Sequence, residues 1–475
     1  MGGEWGRTVN FNSVQFLVFF PVVVFLYALV FRKARARHGL LLLASYVFYM
    51  SWNWRYAGLI LFSTSVDYLV GLRLGGEERH RVRRGYLVLS LVMNLGLLAF
   101  FKYHNFFVDS TGELLRLLGL PGELEGLRHG FLLPVGISFY TFQSLSYTID
   151  LYRGKIPVER DFVRFALYVA FFPQLVAGPI VRAAVFLPQL RRTPKVSEDR
   201  VHSGMALMFR GLFKKVVLAD LLAGLGVDAV FANPGDFSSF TLLMAIYGYS
   251  FQIYNDFSGY SDIAIGTARV LGFNIPENFN RPYLSRNVRE FWTRWHISLS
   301  SWLRDYLYIP LGGSRRSPAR VRFNLMATMV LGGLWHGAAV NFVLWGFWHG
   351  ILLVLSRGAS KAPGPASATR DLWQRVACFH LIAVSWLLFR ISDFPSLLAY
   401  LSGLFRFSWG VELSGAFFLI LGIAAGAHFT PKGLFDGAQE RFAAAPVPAQ
   451  AVVYAGLILL FSGLSFGAPA FIYFQ

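Results

Sequence analysis

Long apolar runs separated by short arginine-rich segments dominate the hydrophobic pattern of the chain. Residues 14–31, 57–74 and 86–101 are examples, and their lengths approach the roughly 20 residues of a helix that crosses a bilayer. We count about eleven or twelve such runs, which is the pattern of helical spans. The pattern predicts an all-α polytopic membrane protein. We take residues 1–475 as one membrane domain with a core motif region at 251–350.

Three stretches depart from a simple crossing. Residues 165–181 are apolar but contain Pro173 and Gly178 between basic flanks, so a re-entrant segment and a proline-kinked span are both open. Residues 286–308 place aromatic and apolar side chains at helical spacing among many charges, which predicts one continuous helix, interfacial or enclosed by other helices. The polar residues 102–130 predict an amphipathic helix on the outer surface.

Composition supports the membrane interpretation. Of the 475 residues, 55% are hydrophobic and 15% are charged, whereas soluble proteins carry about 25% charged residues. A net charge of +18 would suit nucleic acid, but the basic clusters at 32–37 and 79–84 directly follow apolar runs. We interpret them as cytoplasmic loops against anionic lipid, with the N-terminus outside and no nucleic-acid partner. The single cysteine, Cys378, excludes an intrachain disulfide and thiol-rich metal sites, and we predict no metal.

Histidines at membrane depth are costly and therefore mark candidate functional sites. Glycines on both sides of the Trp-His pair of GGLWHG predict that His336 lies at a helix break within residues 323–355. A neutral imidazole there could accept a hydroxyl proton as a general base, or it could only hydrogen-bond across helices. His296, beside the aromatic stripe, is a second candidate with packing as its alternative. His349 lacks a preceding glycine pair and is the plainer alternative to His336.

Two carboxylates, Asp256 and Asp262, interrupt the apolar run 240–271 and are unlikely neighbours for lipid. They could form a proton relay, as in a transporter, or simply pair with arginine residues of the cytoplasmic loops. We favour pairing. A transporter or channel in which both carboxylates and His336 form a proton path is therefore the competing class of function.

The core motif region contains RNVREFWTRWHISLSSWLRDYLYIPLGG and, further along, GGLWHGAAVNFVLWGFWHG. Other distinctive stretches are PVGISFYTFQSLSYTIDLYRG, FFPQLVAGPIVR and NDFSGYSDIAIGTARVLGFNIPENFNRPY. With these motifs the chain resembles the membrane-bound O-acyltransferase (MBOAT) family over almost its whole length. Within that family it is most similar to the branch that contains the alginate O-acetyltransferase membrane subunit.

The resemblance implies an MBOAT fold, in which transmembrane helices together with re-entrant and interfacial helices surround a central funnel. It implies an enzyme of the bacterial inner membrane that moves an acyl group, acetyl first of all, from a cytoplasmic donor to an extracytoplasmic acceptor. The family's two histidines fall on His336 and His296, which become the catalytic candidates. The implied outcome is O-acetylation of a polysaccharide such as alginate, with an extracytoplasmic esterase-like acetyltransferase as partner. No bound cofactor is expected, and acetyl-CoA is the implied donor substrate.

Other substrates stay open at this point, namely O-acetylation of peptidoglycan or cellulose and D-alanyl transfer to teichoic acid. We further expect the segment around His296 to line the cytoplasmic approach to His336. Arg294 or Arg304 would there meet an anionic donor such as the phosphates of CoA. The alternative is that His296 only packs against its neighbours.

Overall fold

The computed structural model describes residues 9–359 and 367–464 of the chain. Its helices, in chain order, are α1 (Val14–Val30), α2 (Ala34–Asn53), α3 (Ala57–Gly76), α4 (His80–Leu98), α5 (His104–Leu117), α6 (Ile137–Tyr152), α7 (Phe162–Ala170), α8 (Phe172–Leu175), α9 (Ala183–Leu190), α10 (Glu198–Leu212), α11 (Asp220–Leu222), α12 (Asp228–Ala232), α13 (Ser239–Val270), α14 (Val288–Arg294), α15 (Ile297–Leu303), α16 (Pro318–His336), α17 (Val340–Ala359), α18 (Ala368–Arg390), α19 (Phe394–Leu404), α20 (Gly415–Phe429), α21 (Lys432–Ala443) and α22 (Val447–Leu464). The all-α prediction is confirmed.

Four helical stretches in the described ranges combine the length and hydropathy of a membrane crossing: Ala34–Gly76, His80–Leu117, Val340–Arg357 and Ala368–Arg390. A fifth would join α20 to α21 across a bend of 98°. Helix α13, with 32 residues, is long enough to cross a bilayer. Most of its side chains are buried, so its polar groups face protein and not lipid. The count of eleven or twelve spans stays a prediction.

Glycine contacts bring two helix pairs of the core close together. Helices α10 and α13 run antiparallel, because Gly204 lies against Gly266 and Gly211 lies against Gly259. A Cβ atom added to Gly211 would lie 2.5 Å from the carbonyl oxygen of Gly259, so only glycine permits this approach. Helices α16 and α17 form a second close pair, described below, and this pair carries His336.

The apolar run 165–181 is not a single kinked helix. Helix α7 ends at Ala170, α8 is a single turn, and residues 176–182 are non-helical and mostly buried. At ~1.5 Å per residue, the 9 residues of α7 are too short to cross a bilayer core. Other helices satisfy the irregular backbone, since the Ile180 amide donates to the Ser298 hydroxyl at 3.0 Å. These observations favour the re-entrant alternative, because protein surrounds the non-helical segment.

The single helix predicted over residues 286–308 is wrong. The segment forms two helices of 7 residues each, α14 and α15, which are separated at Trp295 and His296. The backbone of His296 is left-handed, with φ 42°. The break is fixed from outside the segment, because the side-chain oxygen of Asn278 accepts hydrogen bonds from the Ser298 amide and hydroxyl at 3.1 and 2.8 Å. The spacing of apolar residues does not reveal the break, since the same aromatic side chains are buried in the two short helices as one continuous helix would bury.

Two other predictions about local structure are confirmed. The polar segment 102–130 contains the helix α5, and a helix break follows His336 at residues 337–339. Helix α17, which carries His349, is unbroken from residue 340 to 359. A π-helical turn, Ala99–Tyr103, joins α4 to α5, and π-helical turns are frequent at functional sites.

Candidate active site

His336 is the last residue of α16; the residue is half-buried, and its ring lies in an aromatic enclosure. The ring centre lies 5.0 Å from Trp335, 5.1 Å from Trp345 and 5.4 Å from Phe389. The helix stops here because Gly337 adopts an extended backbone with φ −157° and ψ 151°. The imidazole is therefore held at the end of a helix, on a residue that is half-buried as a whole.

Close packing of α16 against α17 fixes the position of this helix end. A Cβ atom on Gly346 would lie 2.9 Å from the Cα atom of Val330, and one on Gly333 would collide with the Phe342 carbonyl oxygen. The two backbones are therefore in direct contact, as small residues permit in membrane helices. Trp345, beside Gly346, brings its ring against His336.

His296 lies in the same aromatic region but is completely buried, with 0% of its surface exposed. The Asn278 side-chain amide donates to Ser261 at 3.2 Å, so its oxygen faces His296 and Nδ1 of His296 donates to that oxygen at 3.1 Å. Phe257 contacts the His296 ring edge-on at 4.6 Å. These contacts favour packing, and lining of a donor approach by His296 stays a prediction.

The indole rings of Trp335 and Trp345 connect all three histidines of the core motif region. Trp335 lies 6.1 Å from His296 and 5.0 Å from His336, measured between ring centres. Trp345 lies 5.1 Å from His336 and 4.6 Å from His349. The Ser385 hydroxyl lies 3.1 Å from Nε2 of His349, which is fully buried. Of the three histidines, His336 alone has accessible surface, which favours it over His349 as the reacting group.

The two arginines proposed for donor binding lie in different surroundings. Arg294 donates to the carboxylate of Glu290 at 2.8 Å and to the carbonyl oxygen of Asn280 at 3.3 Å. Arg304 pairs with Asp305 at 2.7 Å in the π-helical turn that continues α15. Glu290 and Arg294 thus form an ion pair one helical turn apart, and this pair together with the Asn280 carbonyl group holds the Arg294 side chain.

A basic cluster that the sequence did not single out surrounds Arg304. Arg182 pairs with Asp305 at 2.7 Å, and Arg153 donates to the Asp305 carbonyl oxygen at 3.3 Å. The guanidinium carbons of Arg153 and Arg182 lie 5.4 and 5.2 Å from the centre of the Tyr306 ring. Their convergence arises from the fold, because α6, the re-entrant segment and α15 meet at this point.

Asp256 and Asp262 are paired with cations of the α10 region. Asp262 binds Arg210 at 3.0 Å and Lys214 at 2.7 Å, and Asp256 binds Lys215 at 2.6 Å. Asp262 pairs with an arginine, as the favoured interpretation predicts, and both carboxylates also pair with lysines. The pairs lie between α10 and α13 and join those helices. A proton relay was considered because two carboxylates interrupt an apolar run, and ion pairing accounts for both of them.

Lys102 and Tyr103 also reach the site, although the sequence placed them in a polar outer segment. Both donate hydrogen bonds to backbone carbonyl oxygens in the last turn of α16. The sequence did contain one indication that Lys102 is unusual. Lys102 follows an apolar run that is predicted to lead outward, and the positive-inside rule disfavours a basic residue on that side. No group of three or more metal-ligating side chains occurs within the described ranges.

Comparison with known proteins assigns the chain to a family. Residues 156–392 match the model of MBOAT, the membrane-bound O-acyltransferase family. The chain is 44% identical to "Probable alginate O-acetylase AlgI" of Pseudomonas aeruginosa, over 81% of this chain and 72% of that protein. The relative of the same name in Azotobacter vinelandii is 42% identical, over 81% of this chain and 75% of that protein. The "Peptidoglycan O-acetyltransferase" of Helicobacter pylori is 35% identical, over 83% of this chain and 79% of that protein.

The matched residues 156–392 include α7 to α18, and thus His296, His336, His349 and the basic residues Arg182 and Arg304. The resemblance stated from the motifs is confirmed. The chain is a membrane protein and belongs to the membrane-bound O-acyltransferase family.

Proposed function

We propose that the chain transfers an acetyl group from acetyl-CoA on the cytoplasmic side to hydroxyl groups of a bacterial polysaccharide, with alginate as the first candidate. The names of the relatives support an O-acetylated polymer as acceptor, and the AlgI proteins have the higher identities. The single observation that carries the proposal is the position of His336, half-buried at a helix break inside an aromatic enclosure.

His336 acts in this proposal as the general base. Its imidazole takes the proton of the acceptor hydroxyl while the hydroxyl oxygen attacks the thioester carbonyl carbon. The C–O bond forms, the C–S bond breaks, and the thiolate of CoA leaves with the proton that the histidine accepted. The acceptor in this step is the polysaccharide itself or a group on a partner that passes the acetyl group onward. The surrounding tryptophan rings exclude water, which would otherwise hydrolyse the thioester.

The basic cluster formed by Arg153, Arg182 and Arg304 supports an anionic donor. Arginines bind phosphates through charge-assisted, often bidentate, hydrogen bonds. Arg182 and Arg304 pair with the Asp305 carboxylate, and Arg153 donates to its carbonyl oxygen. A second carboxylate, Asp150, accepts a hydrogen bond from Tyr306 at 2.6 Å and pairs with Lys155 at 3.9 Å. Four cations thus face two carboxylates, and the cluster keeps an excess of positive charge. It lies at the C-terminal end of α6, which the basic residues Arg153, Lys155 and Arg160 follow. A basic loop favours the cytoplasmic side, from which CoA would come. Arg304 therefore remains a candidate for donor binding, whereas Arg294 is engaged elsewhere.

The setting of the reaction completes the proposal. Location in the bacterial inner membrane, with an outward-facing exit for the acyl group, agrees with the basic loops at residues 32–37 and 79–84. An extracytoplasmic esterase-like acetyltransferase would then place the acetyl group on the polymer.

The proposal is tested in detergent with the protein purified together with its acetyltransferase partner, [¹⁴C]acetyl-CoA and alginate oligosaccharides, under conditions in which the wild type transfers label. We expect His336→Gln to lower transfer by about 10²–10⁴-fold, the usual contribution of a general base. His80→Ala is the matched control, because His80 lies exposed at the start of α4, near a predicted cytoplasmic loop. Equal transfer by His336→Gln and the wild type would show that His336 is not the base.

A further inference from the structure

The last turn of α16 leaves carbonyl oxygens that no helical amide can reach, because the helix ends at His336. Every helix C-terminus has such carbonyl groups, and they require other donors when the end is buried. Here the donors come from a different helix. The Tyr103 hydroxyl donates to the Leu334 carbonyl oxygen at 2.7 Å, and Nζ of Lys102 donates to that of His336 at 3.2 Å.

Lys102 makes further contacts in the same place. Its ammonium group donates to the Trp335 carbonyl oxygen and, at 3.4 Å, to the Ser138 hydroxyl. It also lies 5.7 Å from the centre of the Trp335 ring. The three protons of the ammonium group thus have three acceptors, and the positive charge stands at the negative end of the α16 dipole. The contact between Lys102 and Trp335 joins residues that are 233 positions apart in sequence.

The π-helical turn Ala99–Tyr103 explains how two consecutive residues reach the same helix end. The turn carries both Lys102 and Tyr103, and its wider winding changes the direction of side chains relative to an ordinary α-helix. Three successive carbonyl groups of α16, those of Leu334, Trp335 and His336, therefore find donors in one short segment.

We infer that Lys102, assisted by Tyr103, is the positioning residue of the active site: it clamps the end of α16 and thereby holds His336 where it meets the acceptor. The inference rests on the proposed role of His336 as the base. Lys102 touches the backbone of the reacting residue and acts through it. A displacement of about 1 Å in a reacting group can lower a rate by about 100-fold, so this clamp is important for turnover.

The test uses purified full-length variants and two measurements. The first is steady-state acetyl transfer, with kcat and acceptor KM determined separately. The second is independent of activity: the rate at which diethyl pyrocarbonate modifies His336, followed by peptide mass spectrometry. For Lys102→Met we expect kcat to fall by about 10- to 100-fold with acceptor KM little changed, and His336 to be modified several-fold faster. Lys102→Arg should restore part of kcat, because it supplies a cation and several donors.

Two further variants make the test specific. Lys195→Met removes the same charge from an exposed loop position and should match the wild type in both measurements. Tyr103→Phe removes one hydrogen bond and leaves the charge of the site unchanged. It should shift both measurements in the same direction as Lys102→Met, but by a smaller amount. If Lys102→Met does not fold, Tyr103→Phe decides the question.

Unchanged kcat and unchanged His336 modification in Lys102→Met, or in Tyr103→Phe if the first does not fold, would overturn the inference. A raised acceptor KM with unchanged modification of His336 would also overturn it, since Lys102 would then contact substrate. The proposed function fails separately. If His336→Gln retains full transfer, the base assignment is lost, and the modification rates still decide whether Lys102 positions this helix end.

Discussion

Gly346 offers a sharp test of whether the contact between α16 and α17 positions the active site. A Cβ atom at this position would lie 2.9 Å from the Cα atom of Val330 and would collide with the carbonyl oxygen of Met329. Carbon atoms prefer separations of about 3.5–4.0 Å, so Gly346→Ala requires the two backbones to separate by about 0.6–1.1 Å. Neither neighbouring atom belongs to a side chain that can rotate away.

The consequences follow from that displacement. Overpacking of this kind costs about 1–3 kcal/mol of stability. The movement reaches the helix that carries His336, and a shift of about 1 Å at a reacting group costs about 100-fold in rate. We therefore expect Gly346→Ala to lower the unfolding temperature in detergent and to reduce acetyl transfer per folded molecule by about 10- to 100-fold.

Gly350 is the matched control on the same helix. A Cβ atom there would lie 2.7 Å from the sulfur atom of Met326, the end of a flexible side chain that can move. Gly350→Ala should therefore keep near-normal transfer, and its stability should change little. If Gly346→Ala and Gly350→Ala were equally stable and equally active, the contact between the two backbones would not position His336.

Three further predictions concern other parts of the chain. His296→Ala should lower thermal stability with near-normal turnover per folded molecule, because the ring is fully buried; impaired acyl loading at normal stability would instead favour the donor approach. Lys215→Met removes the cation that Asp256 and Asp220 both contact and should cost about 3–5 kcal/mol in thermal unfolding, whereas normal stability would contradict the pairing. In a Cys378→Ala background, an impermeant thiol reagent on intact cells should label Asn10→Cys and spare Ala36→Cys; the reverse would invert the orientation.

The sequence predicts well those features that depend on neighbouring residues. Glycines around His336 indicated a helix break, and the structure has one directly after that residue. The amphipathic helix α5 and the pairing of Asp262 with basic residues were also predictable, because composition and local charge indicate them.

Features that depend on distant contacts were not predictable. The break at His296 is fixed by hydrogen bonds to Asn278, 18 residues earlier. The periodicity of apolar side chains does not indicate such a hydrogen bond. Lys102 looked like part of a solvated outer segment, because its acceptors are backbone atoms more than 200 residues away. Arg153 and Arg182 converge only after the re-entrant segment folds against α15.

In the proposed reaction, this chain moves an acetyl group from a cytoplasmic donor to a polysaccharide through His336. The most direct measurement uses inverted inner-membrane vesicles of the source organism, in which the cytoplasmic face is exposed to added [¹⁴C]acetyl-CoA. Label recovered in the enclosed polysaccharide is compared between the wild type and a chromosomal His336→Gln variant at equal protein levels. We expect label in the wild type and background counts in the variant, whereas equal incorporation in both would show that transfer does not pass through His336.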